Sequence, residues 1–238
     1  MHQRRRHADG LSPVRPPAPA RPAAGRRALL VVLAVLVALL GGVLVGRALP
    51  DAPAENSADV GFARDMSAHH QQAIAMAFTA VQSAPTPEVR QLAVDIASTQ
   101  GNQAGRMQAL LLEWGHPLSG SAPRMAWMAG TDHGGAHAQP QQGGGPMPGT
   151  ASAAEVARLG SESGEVFEVD FLQLMLRHHE GGLAMARAGA ERVGDPQLRA
   201  LAAAVLASQS SEARVLTDLL AARGAQPLPA PAGAEGAA

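Results

Sequence analysis

His69-His70-Gln71-Gln72-Ala73-Ile74-Ala75-Met76-Ala77 and His178-His179-Glu180-Gly181-Gly182-Leu183-Ala184-Met185-Ala186 are one stretch written twice, 109 positions apart. The same offset pairs Phe62 with Phe171, Met66 with Met175, Pro87 with Pro196, Arg90 with Arg199, Gln100 with Gln209 and Gly115 with Gly224. No insertion or deletion interrupts it. A register kept from Asp59 to Gly115 marks one structural unit used twice.

Within the first copy Phe62, Met66, His69, Ala73, Met76, Ala77 and Ala80 recur at three- and four-residue steps, the pattern of one helix face. Pro85-Thr86-Pro87 ends that helix, with Thr86 the expected N-cap and Pro87 the first residue of a second helix. The second helix runs through Leu92, Ile96, Met107, Leu110 and Leu111 and stops at Gly115. The other copy repeats the punctuation, with Gly194 at the break, Asp195 as cap, Pro196 opening the helix and Gly224 closing it. Neither hairpin can bury its apolar stripes alone. The expected fold is therefore all-α, an antiparallel four-helix bundle over residues 59–224, with repeats at 59–115 and 168–224. Ser152 and Glu155 read as a capping box opening a short extra turn before Gly160 and Gly164. The rest of 116–152 is a Gly-, Pro- and Gln-rich loop without a core-forming pattern.

The N-terminal part has a different composition. Residues 1–27 hold seven Arg against Asp9 and read as a disordered basic cytoplasmic arm. Ala28 to Val45 carries no charge and reads as a transmembrane anchor, kept N-terminus inside by Arg26 and Arg27. The other reading is a signal peptide cleaved near Ala52-Pro53-Ala54. Either way the bundle lies outside the cytoplasm, joined by a linker at 46–58 and followed by a disordered tail at 225–238. The basic end suits anionic lipid rather than nucleic acid. Cysteine is absent, which excludes disulfides and thiolate metal sites. With only 3% aromatic residues, the core must be built from Leu, Ala, Val and Met. Assembly into a homo-oligomer is left open.

Helical geometry places Phe62, Met66, His69, Ala73 and Met76 on one face, with His70 at its border, and the same holds one repeat later. Counting outward from the hairpin turns sets His70 level with Gln100 and His179 level with Gln209, each a candidate to orient an imidazole through its other nitrogen. Imidazole with thioether, and no thiolate, suits copper, thioether favouring Cu(I), whereas zinc could use His alone. The candidate ligands are Met66, His69, His70, Met76, Met175, His178, His179 and Met185. Met125, Met128, His133 and His137 are secondary candidates, on a loop that is either a flexible Met/His arm or a solvated linker. The competing reading for the methionines is plain core filling. A dinuclear carboxylate centre would need Glu three residues before the His, where Met66, Ser67, Met175 and Leu176 stand instead. Asp65 and Glu180 are the acids nearby, and they do not match between copies. Glu180 is expected to face solvent.

At these residues the chain resembles the domain-of-unknown-function 305 family, marked by Asp-x-x-Phe-x-x-x-Met-x-x-His-His-x-x-Ala-x-x-Met-Ala, often present twice. Here the pattern is Asp59, Phe62, Met66, His69, His70, Ala73, Met76 and Ala77, then Glu168, Phe171, Met175, His178, His179, Gly182, Met185 and Ala186. The resemblance implies a ferritin-like bundle, export or membrane anchoring and, for some members, copper binding through His and Met. The family's downstream Gln-x-x-Glu is kept as Gln209 and Glu212 but reads Gln100 and Gln103 in the first copy. The expected function is copper buffering, delivery or resistance outside the cytoplasm, without catalysis. The rivals are a ferritin-like metal oxidase using the same His with Asp65 and Glu180, and an interaction or sensor domain whose His and Met are structural.

Overall fold

The computed structural model describes residues 24–48, 52–129 and 147–229, in two units, residues 1–51 and 52–238. The first unit contains helix α1, Ala24–Ala48, which begins inside the expected basic arm and ends inside the expected linker. Leu29 through Leu40 are exposed, and the side chains described on this helix end at Gly41. Among the described residues no helix is long and apolar enough to cross a membrane. The anchor expected over 28–45 is thus a helix here and is not shown to be a membrane span.

In the second unit α2, Ala58–Ser83, and α3, Pro87–Glu113, form one hairpin. A short α4, Ala153–Leu159, precedes α5, Gly164–Arg192, which pairs with α6, Pro196–Ala222. The hairpins pack α2 against α5 and α3 against α6, closing a four-helix bundle. Chain order makes α2 and α5 antiparallel, since Asp59 meets Asp195, His69 meets His178 and Thr86 meets Glu168.

The two copies repeat their end chemistry as well as their sequence. Pro87 and Pro196 both open their helices. Arg90 reaches back to the carbonyls of Ala84 and Pro85, and Arg199 to those of Val193 and Gly194. Gly115 and Gly224 both take a left-handed φ, 76° and 63°, and the following residues donate to Leu111 O and Leu220 O, closing each helix. A carboxylate of each copy also secures the other hairpin: Asp59 Oδ1 accepts from Asp195 N, and Glu168 Oε1 accepts from Thr86 N. Thr86 takes the expected N-cap position but makes no side-chain cap. Its hydroxyl donates to Glu168 rather than serving its own helix, whereas Asp195 accepts from Leu198 N as an N-cap should.

The core divides into two apolar clusters. One gathers Met76, Val89, Phe167, Phe171, Met175 and Leu216 near the first hairpin's turn, and the other gathers Phe62, Met66, Met107, Leu111, Met185 and Val205 at the far end. Burying each such side chain contributes about 1.5–3 kcal/mol. Both expected irregular segments are partly built into this core. Trp127, Met128, Met147 and Ala151 of the connection are buried, because Asp65 accepts from Met125 N and Trp127 Nε1 at 2.8 and 3.0 Å and Gln72 bonds Ala151 on both its N–H and its carbonyl. In the tail, Ala225 and Leu228 pack on the bundle and Gln226 O accepts from Gln173. His133 and His137 lie outside the described residues. The capping box at Ser152 and Glu155 is present as expected.

Candidate metal centre

Between the two clusters the bundle carries a polar layer. His69, His70, His178, His179, Gln100 and Gln209 all have no exposed surface. The rings of His69 and His178 meet at 3.8 Å between centroids, tilted by 37°, where α2 crosses α5. The pair is related by the repeat, so the two halves of the bundle face each other across these imidazoles.

Hydrogen bonding fixes which nitrogen of each ring carries the proton. His69 Nε2 donates to Pro148 O at 3.0 Å, and His178 Nε2 donates to His69 O at 3.1 Å. A carbonyl only accepts, so both rings hold their proton on Nε2 and leave Nδ1 as a bare lone pair. His70 follows suit, donating from Nε2 to Gln103 Oε1 at 2.9 Å while the Gln103 amide donates onward to Ser208. The Nδ1 atoms of His69, His70 and His178 are buried with no partner. His179 differs, donating from Nδ1 to Met175 O and pairing Nε2 with Glu212 Oε2 at 2.7 Å. Both its nitrogens are engaged.

Burial also sets the charge of the layer. It pushes His69 down from 6.5 to about 4 and His70 to about 3, the Pro148 and Gln103 acceptors only partly opposing it. Burial, with the neighbouring imidazoles added, holds His178 well below the usual range. These rings are neutral at physiological pH, the form that ligates metal.

The methionines bracket the layer in pairs. Met66 and Met185 belong to the far cluster, and Met76 and Met175 to the cluster near the first turn. Each cluster thus receives one methionine from each copy of the motif. Gln100 and Gln209 are in the layer, but neither amide has a partner. The His70 and His179 partners are Gln103 and Glu212, one helical turn further along. Helical side chains lean toward their own N-terminus, so across a hairpin the first helix leans away from the turn and the second toward it. Counting Cα levels therefore places the partner too early. The repeat held the right signal, since Gln103 and Glu212 are themselves 109 apart.

Among the described residues no group of three or more His, Asp or Glu side chains is arranged to hold a metal ion. Asp65 is committed to the Trp127 segment, and its carboxyl is pushed up by burial. Glu180 is half-buried rather than solvent-facing, one of its oxygens buried without a partner, and burial raises its pKa. What the layer offers a metal is bare imidazole nitrogen flanked by thioether, with no carboxylate cage.

The model of the family described as "Domain of unknown function (DUF305)" matches residues 59–220. The chain belongs to this family. A DUF305 protein of Streptomyces coelicolor, taken to be secreted, is 43% identical, with 74% of this chain and 99% of that one covered and a TM-score of 0.66. A DUF305 fragment from Deinococcus radiodurans is 31% identical over 73% of this chain and 99% of its own, with a TM-score of 0.58. CopM in its Cu(I)-bound form shares the fold at 23% identity, covering 69% of this chain and 96% of that one with a TM-score of 0.53. No curated protein matches the chain.

Proposed function

We propose that the chain binds copper in the polar layer and buffers or delivers it outside the cytoplasm. The observation that carries the reading is the set of three buried Nδ1 atoms, on His69, His70 and His178, each bare because Nε2 is tied to an oxygen acceptor. A buried polar atom without a partner costs about 1–3 kcal/mol, a cost that coordination would offset. Met66, Met76, Met175 and Met185, which flank the His pairs in both copies of the motif, are the thioethers offered as co-ligands, and thioether selects the softer Cu(I). CopM, of the same fold, has been solved with Cu(I) and with Cu(II) bound. His179 enters the ligand set only if it leaves Met175 O or Glu212.

Export rests on the charge-free run after Arg26 and Arg27 and on the Streptomyces coelicolor relative. The proposal includes no catalytic step, Asp65 being turned to the connection and unavailable as a redox-metal ligand in this arrangement. Metal analysis of untagged protein after copper and zinc challenge tests it. Copper is expected to be retained, with Cu(I) held well above zinc. Equal affinities for Cu(I) and Zn(II) remove the methionines from the site, and retention of neither metal leaves the layer a structural polar network.

A further inference from the structure

Phe62, Phe167 and Phe171 are fully buried, but the fourth phenylalanine, Phe78 on α2, is 56% exposed. It stands in a stretch without charge. From Met66 to Pro87 no Asp, Glu, Lys or Arg occurs, whereas the equivalent stretch of the second copy, Met175 to Pro196, carries Arg177, Glu180, Arg187, Glu191, Arg192 and Asp195. The repeat partner of Phe78 is Arg187. Two copies of one helix thus differ in their outer surface, and the first has the aromatic, charge-depleted composition of an interface centre.

The neighbours of Phe78 follow from what the two helices hold elsewhere. On α2 the connection takes the flank of Asp65, His69 and Gln72. At about 100° per residue Phe78 lies on the other flank, toward α3. On α3 the groove facing α6 is lined by Glu88, Leu92 and Asp95, so Val94, Gly101, Gly105 and Leu112 lie on the flank beside α2. The His70–Gln103 bond sets the hairpin register and brings Val94 level with Phe78. Val94 and Leu112 are 43% and 62% exposed, and the two glycines lie between them. Glycine inside a helix is destabilising. Gly61, Gly181, Gly182 and Gly189 have a reason within the chain, since a Cβ on them would run into Trp127, Pro148, Gln209 and Phe62 respectively. At Gly101 and Gly105 a Cβ would meet nothing within 4 Å, so the bare strip they make serves no contact within the chain. The second copy has Ser210 and Arg214 there.

We propose that the outer face of the α2–α3 hairpin is a dimer interface, packed on the same face of a second copy of this chain across a twofold axis. A twofold contact sets a patch against itself, so a patch of one charge sign would repel its twin. This one carries no charge between Arg64 and Arg90, which border it and are already bonded to Glu55 and to the Ala84 and Pro85 carbonyls. The area also fits. The 27 residues of α3 span about 40 Å and two helices side by side about 20 Å, so the face offers about 800 Å², the share each partner gives to a standard interface. Phe78 and Val94 supply the apolar anchors, and Gly101 and Gly105 let the facing helix come close. The contact does not depend on metal in the imidazole layer.

The test is analytical ultracentrifugation of the full chain in nonionic detergent over a concentration series, with wild type expected to dimerise. Phe78→Arg gives α2 the residue of the second copy at an exposed position. It should raise the dissociation constant about 30-fold or more with an unchanged circular dichroism spectrum. The chain has no cysteine, so single cysteines report the contact independently. Under diamide, Gly101→Cys or Gly105→Cys should form a disulfide-linked dimer, and Arg214→Cys, at the equivalent place on α6, should not. The proposal is overturned if wild type stays monomeric across the series, or if a folded Phe78→Arg chain dimerises as wild type does, which would place the contact on another surface such as α1. Should Phe78→Arg misfold, the cysteines decide: no disulfide dimer from either glycine position, or an equal yield from Arg214→Cys, overturns it.

Discussion

Acidification should unfold the metal-free protein well before its carboxylates are neutralised. In the unfolded chain each histidine takes up a proton near pH 6.5, whereas the folded state holds His69 at about 4 and His70 at about 3. Above pH 6.5 both states are neutral and the groups have no effect. As pH falls below 6.5 the unfolded state gains protons that the fold refuses, so stability declines until the folded pKa is reached. The slope is about 1.4 kcal/mol per pH unit for each histidine. At pH 5 that is about 2 kcal/mol each for His69 and His70, and His178 acts in the same direction. Against a total stability of about 5–15 kcal/mol, the loss is decisive. Asp65 and Glu180, raised by burial, oppose it in part, because the fold takes up their protons first. Urea denaturation of chelator-treated protein at pH 7.5, 6.0 and 5.0 should show a falling midpoint, with a shallower fall in His70→Gln. Copper, which binds neutral imidazole, should move the acid limb to lower pH. A midpoint that stays constant from pH 7.5 to 5.0 would refute the burial argument and with it the neutral, ligand-ready state of these rings.

Gly181→Ala would bring a Cβ to 2.1 Å from Pro148 O, so the 147–151 segment must leave α5; thermal melts should fall by the equivalent of about 1–3 kcal/mol, and the connection should become easier to cleave by protease. Asp59→Ala strips the acceptor from Asp195 N and Glu168→Ala the one from Thr86 N, each costing about 1–3 kcal/mol by urea titration. Glu168→Ala should cost more, since it also removes the ion pair with Arg223. Glu212→Gln gives the second copy the amide of the first; the fold should survive with a circular dichroism spectrum like wild type, and loss of the helical signal would mean the carboxylate is required for His179 burial.

The helical hairpins could be read from the sequence because their ends are local chemistry. Pro87, Pro196, Gly115 and Gly224 each act through backbone geometry within a few residues, and the repeat confirms every one of them. The His layer was legible for the same reason, as doubled histidines on an apolar stripe have to face each other across the bundle. What escaped were contacts set by the connection. Trp127 and Met147 have no periodic neighbours to mark them as core, and their burial goes with long-range bonds, Asp65 to the Trp127 indole and Met125 N, Arg192 to Trp127 O and Gln72 to Ala151. Asp65 looked like a spare acid beside the histidines, and its actual partners lie about sixty positions away along the chain.

A twofold bundle made from one chain cannot stay symmetric, because a single connection joins its halves and covers one side only. The copies diverge where that connection runs. Gln72 reaches out to grip Ala151, while its repeat partner Gly181 has no side chain and lets Pro148 lie against α5. That approach is what delivers Pro148 O to His69 Nε2, whereas His178 must use the carbonyl of His69 itself. Gly182 likewise stands where the first copy has Ala73, and a Cβ there would lie 2.3 Å from Gln209 Oε1. The equivalent imidazoles therefore hold their protons through unlike acceptors, one on the connection and one on α2. Displacing 147–151 would strip the acceptor from His69 Nε2 while leaving His178 fixed, so the two central rings, equivalent in the repeat, should differ in how readily each exchanges its nitrogens with a metal.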